Sequence, residues 1–227
     1  MMQGASRRYI LSAVEASLQR LKTDWIDLYQ VHVPDPATPI EETLGTLDDL
    51  IHQGKVRYAG CSNFPAWKVA EAQETASKLG IGGFISCQDE YSLLVRDIES
   101  DRIPVMQSYG LGLLPYFPLA SGVLTGKYKR NQPPLQGTRL AVWKSMVKRY
   151  STEKNWEIIE ALEKFCAERN RTLLELAFGW LLSKPVVSSV IGGATKPEQL
   201  DLNVAAADWV LSPEDLAEVD KISSGVS

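Results

Sequence analysis

The sequence has few of the residues that build metal sites and disulfide frameworks. Its 227 residues include three cysteines and two histidines. The cysteines, Cys61, Cys87 and Cys166, are odd in number and widely spaced, which argues against both a disulfide framework and a structural zinc site. We therefore predict no metal ion. Because unpaired thiols are typical of reducing compartments, we also predict a cytoplasmic location.

Long apolar runs and long basic runs are missing as well. No segment has enough consecutive apolar residues to span a bilayer. The N-terminal stretch carries basic residues ahead of apolar ones, but Glu15 interrupts it, which predicts an amphipathic helix rather than a signal peptide. The 24 Lys and Arg residues are scattered and the net charge is -4, so neither nucleic acid nor a membrane surface is an expected partner. A small molecule is the expected partner.

Helical and strand-like segments alternate along the chain. Helical periodicity and end signals predict helices over residues 6–21, 38–52, 65–79, 95–109, 155–170, 173–183 and 197–207. Apolar, β-branched runs predict strands over residues 25–31, 56–62, 84–88, 112–119 and 186–191. This alternation predicts an α/β fold with a parallel sheet covered by helices, either a barrel or an open doubly wound sheet. We expect a single domain over residues 1–227.

One segment, residues 122–154, interrupts the alternation. It is polar, contains NQPPLQG and is too long for an ordinary connection. We interpret it as a functional loop over the active face of the domain.

Polar or aromatic residues follow each predicted strand. In chain order they are His32, Ser62 with Asn63, Gln88, Tyr116, and Gly192 with Gly193 and Thr195. The carboxyl ends of parallel strands form one common rim, which carries the active site in barrels. A single histidine such as His32 is more often structural than catalytic. Five consecutive strands with such residues at their ends nevertheless predict a site on this rim.

The stretch IGGATKPEQL, from Ile191 to Leu200, joins a predicted strand to a predicted helix. Its glycines allow close backbone approach, the helix start offers free N–H groups, and Lys196 adds positive charge, so a phosphate-bearing ligand fits. An ordinary strand-to-helix turn with Pro197 at the first helical position explains the stretch equally well. The sequence contains no GxGxxG motif, so a dinucleotide would not be held in the Rossmann manner.

Five stretches, in their order and spacing, resemble the aldo-keto reductases. They are DLYQVHVPD from Asp27, GKVRYAGCSNF from Gly54, SCQDEYSLL from Ser86, LLPYFPLASGVLTGKY from Leu113 and VIGGATKPEQLDLNV from Val190. Members of that family are (β/α)8 barrels of the TIM type that bind NADPH and reduce aldehydes or ketones. The resemblance implies the same fold, cofactor and class of carbonyl substrate for this protein.

The resemblance also assigns roles to residues. His32 would orient and polarise the substrate carbonyl, and Tyr116 would stack on the nicotinamide ring. The carboxamide of that ring would be held by Ser62, Asn63 and Gln88. The pyrophosphate, under the loop at 122–154, would be lined by Phe117, Pro118, Leu119, Ala120, Ser121 and Lys127. The adenosine end would be held by Gly193, Thr195, Lys196, Gln199 and Asn203, with Lys196 facing the 2′-phosphate.

Three catalytic residues of the family have no counterpart that we recognise. The Asp, Tyr and Lys of its tetrad lie on elements ahead of the histidine strand, and this chain begins about one helix before that strand. The resemblance therefore implies an incomplete barrel, with strands 4 to 8 and their helices, and a catalytically incomplete chain. Tyr29 cannot substitute, because an odd separation along a strand places it on the face opposite His32. Exposed barrel edges would favour self-association.

The sequence is compatible with three functions. The first is an NADPH-dependent oxidoreductase that reduces an aldehyde or ketone. The second is a non-catalytic nucleotide-binding or interaction protein of the same fold, because some aldo-keto-like barrels serve as regulatory subunits. The third is an unrelated TIM-type aldolase or isomerase. That enzyme would need a lysine or a carboxylate pair on the inner strand face, and the stretches WIDLYQV, FISCQ and VVSSVI contain neither.

Overall fold

The computed structural model describes residues 4–133, 136–137 and 139–224. The four strands in these residues are β1 (Ile26–Val31), β2 (Val56–Ser62), β3 (Ser86–Gln88) and β4 (Gly112–Leu113). The helices are α1 (Arg7–Leu21), α2 (Ile40–His52), α3 (Ala66–Leu79), α4 (Arg102–Ser108), α5 (Arg139–Val142), α6 (Lys144–Tyr150), α7 (Glu153–Ala167), α8 (Leu173–Leu182), α9 (Pro197–Ala205) and α10 (Pro213–Ser223).

The strands form one parallel sheet in the order β1-β2-β3-β4. Val31 lies opposite Cys61, and Cys61 lies opposite Cys87. Each neighbouring pair of strands is connected through at least one helix, as parallel pairing requires. The predicted α/β fold with a parallel sheet is therefore confirmed.

The chain forms two compact units. The first comprises residues up to Asp89 together with Ile98–Leu113, and the second comprises Glu90–Asp97 together with residues from Leu114 onward. The single domain predicted from the sequence stays a prediction.

In the first unit, one face of the sheet is covered by helices. α2 packs against β2, α1 and α3, and α3 also packs against α4. Leu44, Leu47 and Leu50 of α2 are buried, which matches the helical spacing of apolar residues in the sequence. α3 ends where Gly80 takes a left-handed conformation with φ of 67°.

In the second unit, α7, α8 and α10 enclose an apolar core. Trp180 of α8 is fully buried and its ring centroid lies 5.0 Å from that of Tyr91. A Cβ atom on Gly179 would lie 2.6 Å from the Trp209 carbonyl oxygen, so only glycine permits this close backbone contact. A capping box between Thr172 and Glu175 begins α8.

Helix α10 was not predicted from the sequence. Its start has a recognisable signal, because the Ser212 hydroxyl accepts a hydrogen bond from the Asp215 N–H and Pro213 occupies the first helical turn. Ser-Pro followed by two acidic residues could have identified this helix.

The strand predicted over residues 112–119 is mostly wrong. Only Gly112–Leu113 form a strand, followed by an isolated parallel bridge between Glu90 and Tyr116. Pro115 and Pro118 have no N–H to donate to a ladder, and Phe117 is left-handed with φ of 53°.

The strand predicted over residues 186–191 is also wrong. No strand is assigned to these residues, all of which the structure describes. The Ile191 N–H donates to the Pro115 carbonyl at 3.0 Å, but Pro115 has no N–H with which to continue the ladder. β-branched composition thus produced an extended segment in which Val187 forms an isolated bridge but no strand develops.

The segment 122–154 contains the short helices α5 and α6 and the first residues of α7. Residues 134, 135 and 138, two of them in the NQPPLQG stretch, lie outside the described residues. The Tyr150 hydroxyl donates to Glu90 at 2.5 Å, and Arg149 forms an ion pair with the same carboxylate. The end of the segment is therefore fixed by a buried acid, whereas its position over a cofactor stays a prediction.

Candidate functional site

One face of the sheet in the first unit carries a row of polar side chains. Because side chains alternate along a strand, Gln30 and Tyr29 lie on opposite faces of β1. Tyr29 lies near Ser17 and Tyr9 of α1, and burial there raises its pKa above the ordinary tyrosine value. Tyr29 is thus directed away from the polar face, as the sequence predicted.

Ser62, Asn63 and Gln88 are held together at the carboxyl ends of β2 and β3. The Ser62 hydroxyl donates to the Gln88 carbonyl at 2.8 Å, and the Asn63 backbone N–H donates to the same oxygen at 3.2 Å. The Asn63 side-chain amide donates to Ser62 Oγ at 2.9 Å. Asn63 has a left-handed backbone with φ of 59°, which asparagine tolerates better than most residues. We call these three residues the amide cluster.

His32 lies next to the amide cluster. Its backbone carbonyl accepts a hydrogen bond from the Asn63 side-chain amide at 3.1 Å. The residue is exposed, so its imidazole is accessible to a ligand. The structure therefore brings His32, Ser62, Asn63 and Gln88 together at one edge of the sheet, whereas their roles toward a cofactor and a substrate stay predictions.

Two further residues support the amide cluster and were not predicted. Gln30 donates through Nε2 to Gln88 Oε1 at 2.8 Å. Its position two residues before His32 on the same strand face was a usable signal. Asp89 forms an ion pair with Arg102 at 2.7 Å and accepts a hydrogen bond from the Asn63 N–H.

Asp89 is 1% exposed. Burial raises its pKa above the ordinary aspartate value, and the Arg102 guanidinium opposes this rise. A buried carboxylate that is paired with arginine and with a backbone N–H fixes the backbone around it.

In the second unit, residues 116–122 form a tight, strained turn. Phe117, Ala120 and Ser121 are left-handed although none of them is glycine, and Gly122 follows with φ of 93°. Such conformations cost energy and cluster at functional sites. The rings of Tyr116 and Phe117 meet edge to face at 5.3 Å.

Ser121 is 5% exposed, and its Oγ has no hydrogen-bond partner among the described residues. Lys127 is exposed, and a Cβ on Gly122 would lie 3.1 Å from Lys127 Nζ. Glycine at 122 thus leaves the space that the lysine side chain occupies. Pro118 and Ala120 are buried and Leu119 is half-buried, so these three shape the turn from within.

The start of α9 carries the remaining predicted residues. Gln199 Oε1 accepts hydrogen bonds from the Thr195 N–H at 2.8 Å and from its hydroxyl at 3.1 Å. Lys196 is the N-cap residue and is exposed, as is Gly193. The side-chain nitrogen of Asn203 is buried and has no hydrogen-bond partner in the described part of the chain. Thr195 and Gln199 are therefore in contact at the start of α9, and their role at the adenosine end of a nucleotide stays a prediction.

The described residues contain neither a membrane-spanning helix nor a cluster of metal-binding side chains. No helix among them is both long enough and apolar enough to cross a membrane. No group of three or more His, Cys, Asp or Glu side chains in residues 4–133, 136–137 and 139–224 could hold a metal ion.

Comparison with known proteins identifies the family. The model of the aldo/keto reductase family matches residues 1–224. A probable voltage-gated potassium channel subunit beta from Oryza sativa subsp. japonica is 39% identical over 99% of this chain and 69% of its own length. Versiconal hemiacetal acetate reductase from Aspergillus parasiticus is 33% identical over 96% of this chain and 63% of its own length.

L-Glyceraldehyde 3-phosphate reductase from Escherichia coli O157:H7 is similar at 31% identity, over 96% of this chain and 64% of its own length. The chain thus spans about two thirds of the length of these relatives. The family match over nearly the whole chain and the identity to the rice protein show that this chain belongs to the aldo/keto reductase family.

Proposed function

We propose that this protein is an NADPH-dependent oxidoreductase that reduces an aldehyde or ketone. Aldo/keto reductases are generally NAD(P)-dependent, and two of the similar proteins are named as reductases. The observation that carries the proposal is the amide cluster beside His32, with its hydrogen bonds of 2.8 to 3.2 Å.

The amide cluster suits a nicotinamide carboxamide. Ser62, Asn63 and Gln88 offer hydroxyl and amide groups on a rigid sheet edge, and hydride transfer depends on fixed geometry. Bound NADPH would supply the hydride that reduces the carbonyl carbon. Tyr116, which belongs to the second unit, has a flat aromatic ring of the kind on which a nicotinamide stacks.

His32 would act on the substrate rather than on the cofactor. Its exposed imidazole follows β1, and a donor placed at the carbonyl oxygen stabilises the negative charge that develops there. The hydrogen bond from Asn63 to the His32 carbonyl fixes the backbone from which the imidazole projects.

The residues of the second unit fit a phosphorylated nucleotide. Ser121 Oγ and Asn203 Nδ2 are buried polar atoms without partners among the described residues, and both belong to the predicted cofactor set. A buried donor or acceptor left unpaired costs about 1–3 kcal/mol, and a bound ligand that pairs with it removes that cost. Phe117, Lys127 and the other residues of the strained turn would line the pyrophosphate.

Lys196 would select NADPH over NADH. It is exposed at the start of α9, where the helix N-terminus also favours an anion. A lysine facing the 2′-phosphate would stabilise NADPH alone, because NADH lacks that group. Gly193, Thr195 and Gln199 would hold the adenosine end of the same nucleotide.

We further propose that the 227 residues bind NADPH without turning it over. The 227 residues contain no recognisable counterpart of the family's Asp, Tyr and Lys. His32 is therefore the one catalytic residue that we assign to this chain. The chain would contribute strands to a TIM-type barrel, which the four-stranded parallel sheet supports. β1 is an edge strand of the described sheet, and its open edge supports self-association. The three buried thiols support a cytoplasmic location.

Replacement of Gln88 tests the proposal. We expect Gln88→Ala to weaken NADPH binding roughly tenfold or more, because one lost hydrogen bond to a buried partner is worth about 1.4 kcal/mol. Fluorescence titration of NADPH measures this. Gln107→Ala, at an exposed glutamine of α4, is the matched control. Equal NADPH affinity in both variants would contradict the proposed role of the amide cluster.

A second candidate function is a non-catalytic nucleotide-binding subunit. It is favoured by relatives named as potassium channel subunits beta, including the rice protein and one from Arabidopsis thaliana that is 36% identical. The test uses a chain that also contains the family's tyrosine, mixed with NADPH and a panel of aldehydes. If that chain binds NADPH but no aldehyde oxidises it, the result favours this candidate.

A further inference from the structure

Gln30 and Gln88 hydrogen-bond across an intervening strand. Gln30 lies on β1 and Gln88 on β3, with β2 between them. Adjacent strands lie about 4.8 Å apart, so the two backbones are separated by roughly 10 Å. The 2.8 Å bond from Gln30 Nε2 to Gln88 Oε1 therefore requires both side chains to reach over β2.

Gly60 of β2 makes this contact possible. Gln30 lies directly opposite Gly60 in the β1–β2 register. A Cβ atom on Gly60 would lie 3.2 Å from Gln30 Cγ and 2.7 Å from Ser86 Oγ. A side chain at this position would force Ser86 to move, because Cβ atoms do not approach other heavy atoms to 2.7 Å, and at 3.2 Å it would also press on Gln30 Cγ and disturb the path of that side chain.

The contact orients the Gln88 amide. The hydrogen bond holds the Gln88 amide with Oε1 toward Gln30, which directs the Nε2 group of the same amide away from Gln30 and leaves it to donate to a ligand. Gln30 Oε1 is itself buried and has no partner among the described residues, which is an unfavourable arrangement for a glutamine.

We propose that Gln30 is a positioning residue for Gln88, acting across the gap at Gly60 so that Gln88 presents its N–H₂ group and selects a ligand with a hydrogen-bond acceptor. The inference rests on the proposed function, in which that acceptor is the carboxamide oxygen of the nicotinamide. It adds a specificity role for a residue that makes no contact with the cofactor.

Two nucleotides separate this role from a general structural one. NADPH carries the carboxamide, whereas 2′,5′-ADP contains the adenosine end without the nicotinamide. We expect Gln30→Leu to weaken NADPH binding about tenfold, equivalent to about 1.4 kcal/mol, and to leave 2′,5′-ADP binding unchanged. Equal loss for both nucleotides, or no loss for NADPH, overturns the inference.

The controls use neighbouring or equivalent positions. Tyr29→Phe changes the adjacent residue on the opposite face of β1 and is expected to leave both affinities unchanged. Gly60→Ala is expected to reproduce the effect of Gln30→Leu, whereas Gly45→Ala, where a Cβ meets nothing within 4 Å, is not. If Gln30→Leu fails to fold by circular dichroism, Gln30→Asn keeps the amide but is too short to reach Gln88.

Nuclear magnetic resonance of the chain without nucleotide provides a readout independent of the cofactor. We expect a nuclear Overhauser contact between the side-chain amide of Gln30 and the side chain of Gln88, lost in Gly60→Ala. Absence of this contact in the wild-type chain overturns the inference whether or not NADPH binds. If the contact is present but the chain does not bind NADPH, the proposed function is overturned, whereas the inference that Gln30 orients Gln88 still holds.

Discussion

Cys61 and Cys87 lie opposite each other on adjacent parallel strands, with their Sγ atoms 3.5 Å apart and both side chains almost completely buried. The hydrogen bond to Cys87, together with burial, raises the pKa of the Cys61 thiol far above its ordinary value. Cys61 precedes Ser62 and Cys87 precedes Gln88 by one position, so the two thiols lie on the sheet face opposite those two residues of the amide cluster.

The buried thiols are expected to be unreactive in the folded chain. The thiolate is the nucleophile, and burial also raises the pKa of Cys166 to about 12. Titration with a chromogenic disulfide reagent at about pH 8 should detect none of the three cysteines in native conditions and all three in denaturant. Rapid reaction of any cysteine before unfolding would contradict the packing of the two strands.

The hydroxyl of Tyr150 is expected to stabilise the second unit. Tyr150 is fully buried and donates to Glu90, so Tyr150→Phe leaves a buried carboxylate without one partner and should cost about 1–3 kcal/mol. Urea unfolding measures this. Tyr109→Phe is the matched control, because Tyr109 makes the same type of bond to Glu74 at an exposed site, where such bonds contribute little. A larger loss for the control than for Tyr150→Phe would be inconsistent with this role.

Asp220 is expected to contribute to the loss of stability in acid. Burial alone would raise its pKa, but hydrogen bonds from Trp180 and Lys184 and the charge of Arg96 lower it below the ordinary 3.8. A carboxyl group with a lowered pKa in the folded state stabilises the fold above its unfolded pKa, and this contribution is lost as the pH falls through the folded pKa.

Asp220→Asn should therefore lower the melting temperature at neutral pH and flatten its dependence on pH below 3.8. Thermal unfolding followed across that range provides the measurement. Asp201→Asn, at an exposed aspartate of α9, serves as the control and should leave the curve unchanged. Identical pH profiles for Asp220→Asn and wild type would exclude this contribution.

Lys196 is expected to affect NADPH and not NADH. Removal of its charge by Lys196→Met should weaken NADPH binding by roughly 10- to 100-fold, as for a charge-assisted hydrogen bond of about 1.5–3 kcal/mol. Fluorescence titration with each nucleotide gives the ratio of affinities. Lys78→Met, at an exposed lysine near the end of α3, is the control. A parallel loss for NADH would mean that Lys196 is structural.

The periodic part of the fold was predictable from the sequence. The spacing of apolar residues located α1, α2 and α3. Gly80 correctly predicted that α3 ends at Leu79. The amide cluster followed from polar residues at strand ends, because parallel strands bring those ends to one edge. Short stretches of sequence are enough to predict these features, without knowledge of which distant residues they contact.

The remaining features depend on pairings between distant residues. The β-branched run ending at Ile191 formed no strand, because its neighbour Pro115 lacks an N–H. Gln30 was missed because its contact with Gln88 depends on the space that a glycine, Gly60, leaves on the neighbouring strand. Asp89 was missed because an acid next to a predicted ligand gives no indication of a buried arginine partner such as Arg102.

A single titration decides whether this chain carries an NADPH site. NADPH fluorescence is followed as the 227-residue chain is added, and NADPH oxidation is then followed with a generic aldehyde present. We predict saturable binding without aldehyde-dependent oxidation. No saturable binding by a folded chain would contradict the NADPH site, and oxidation that depends on the aldehyde would contradict the predicted catalytic incompleteness.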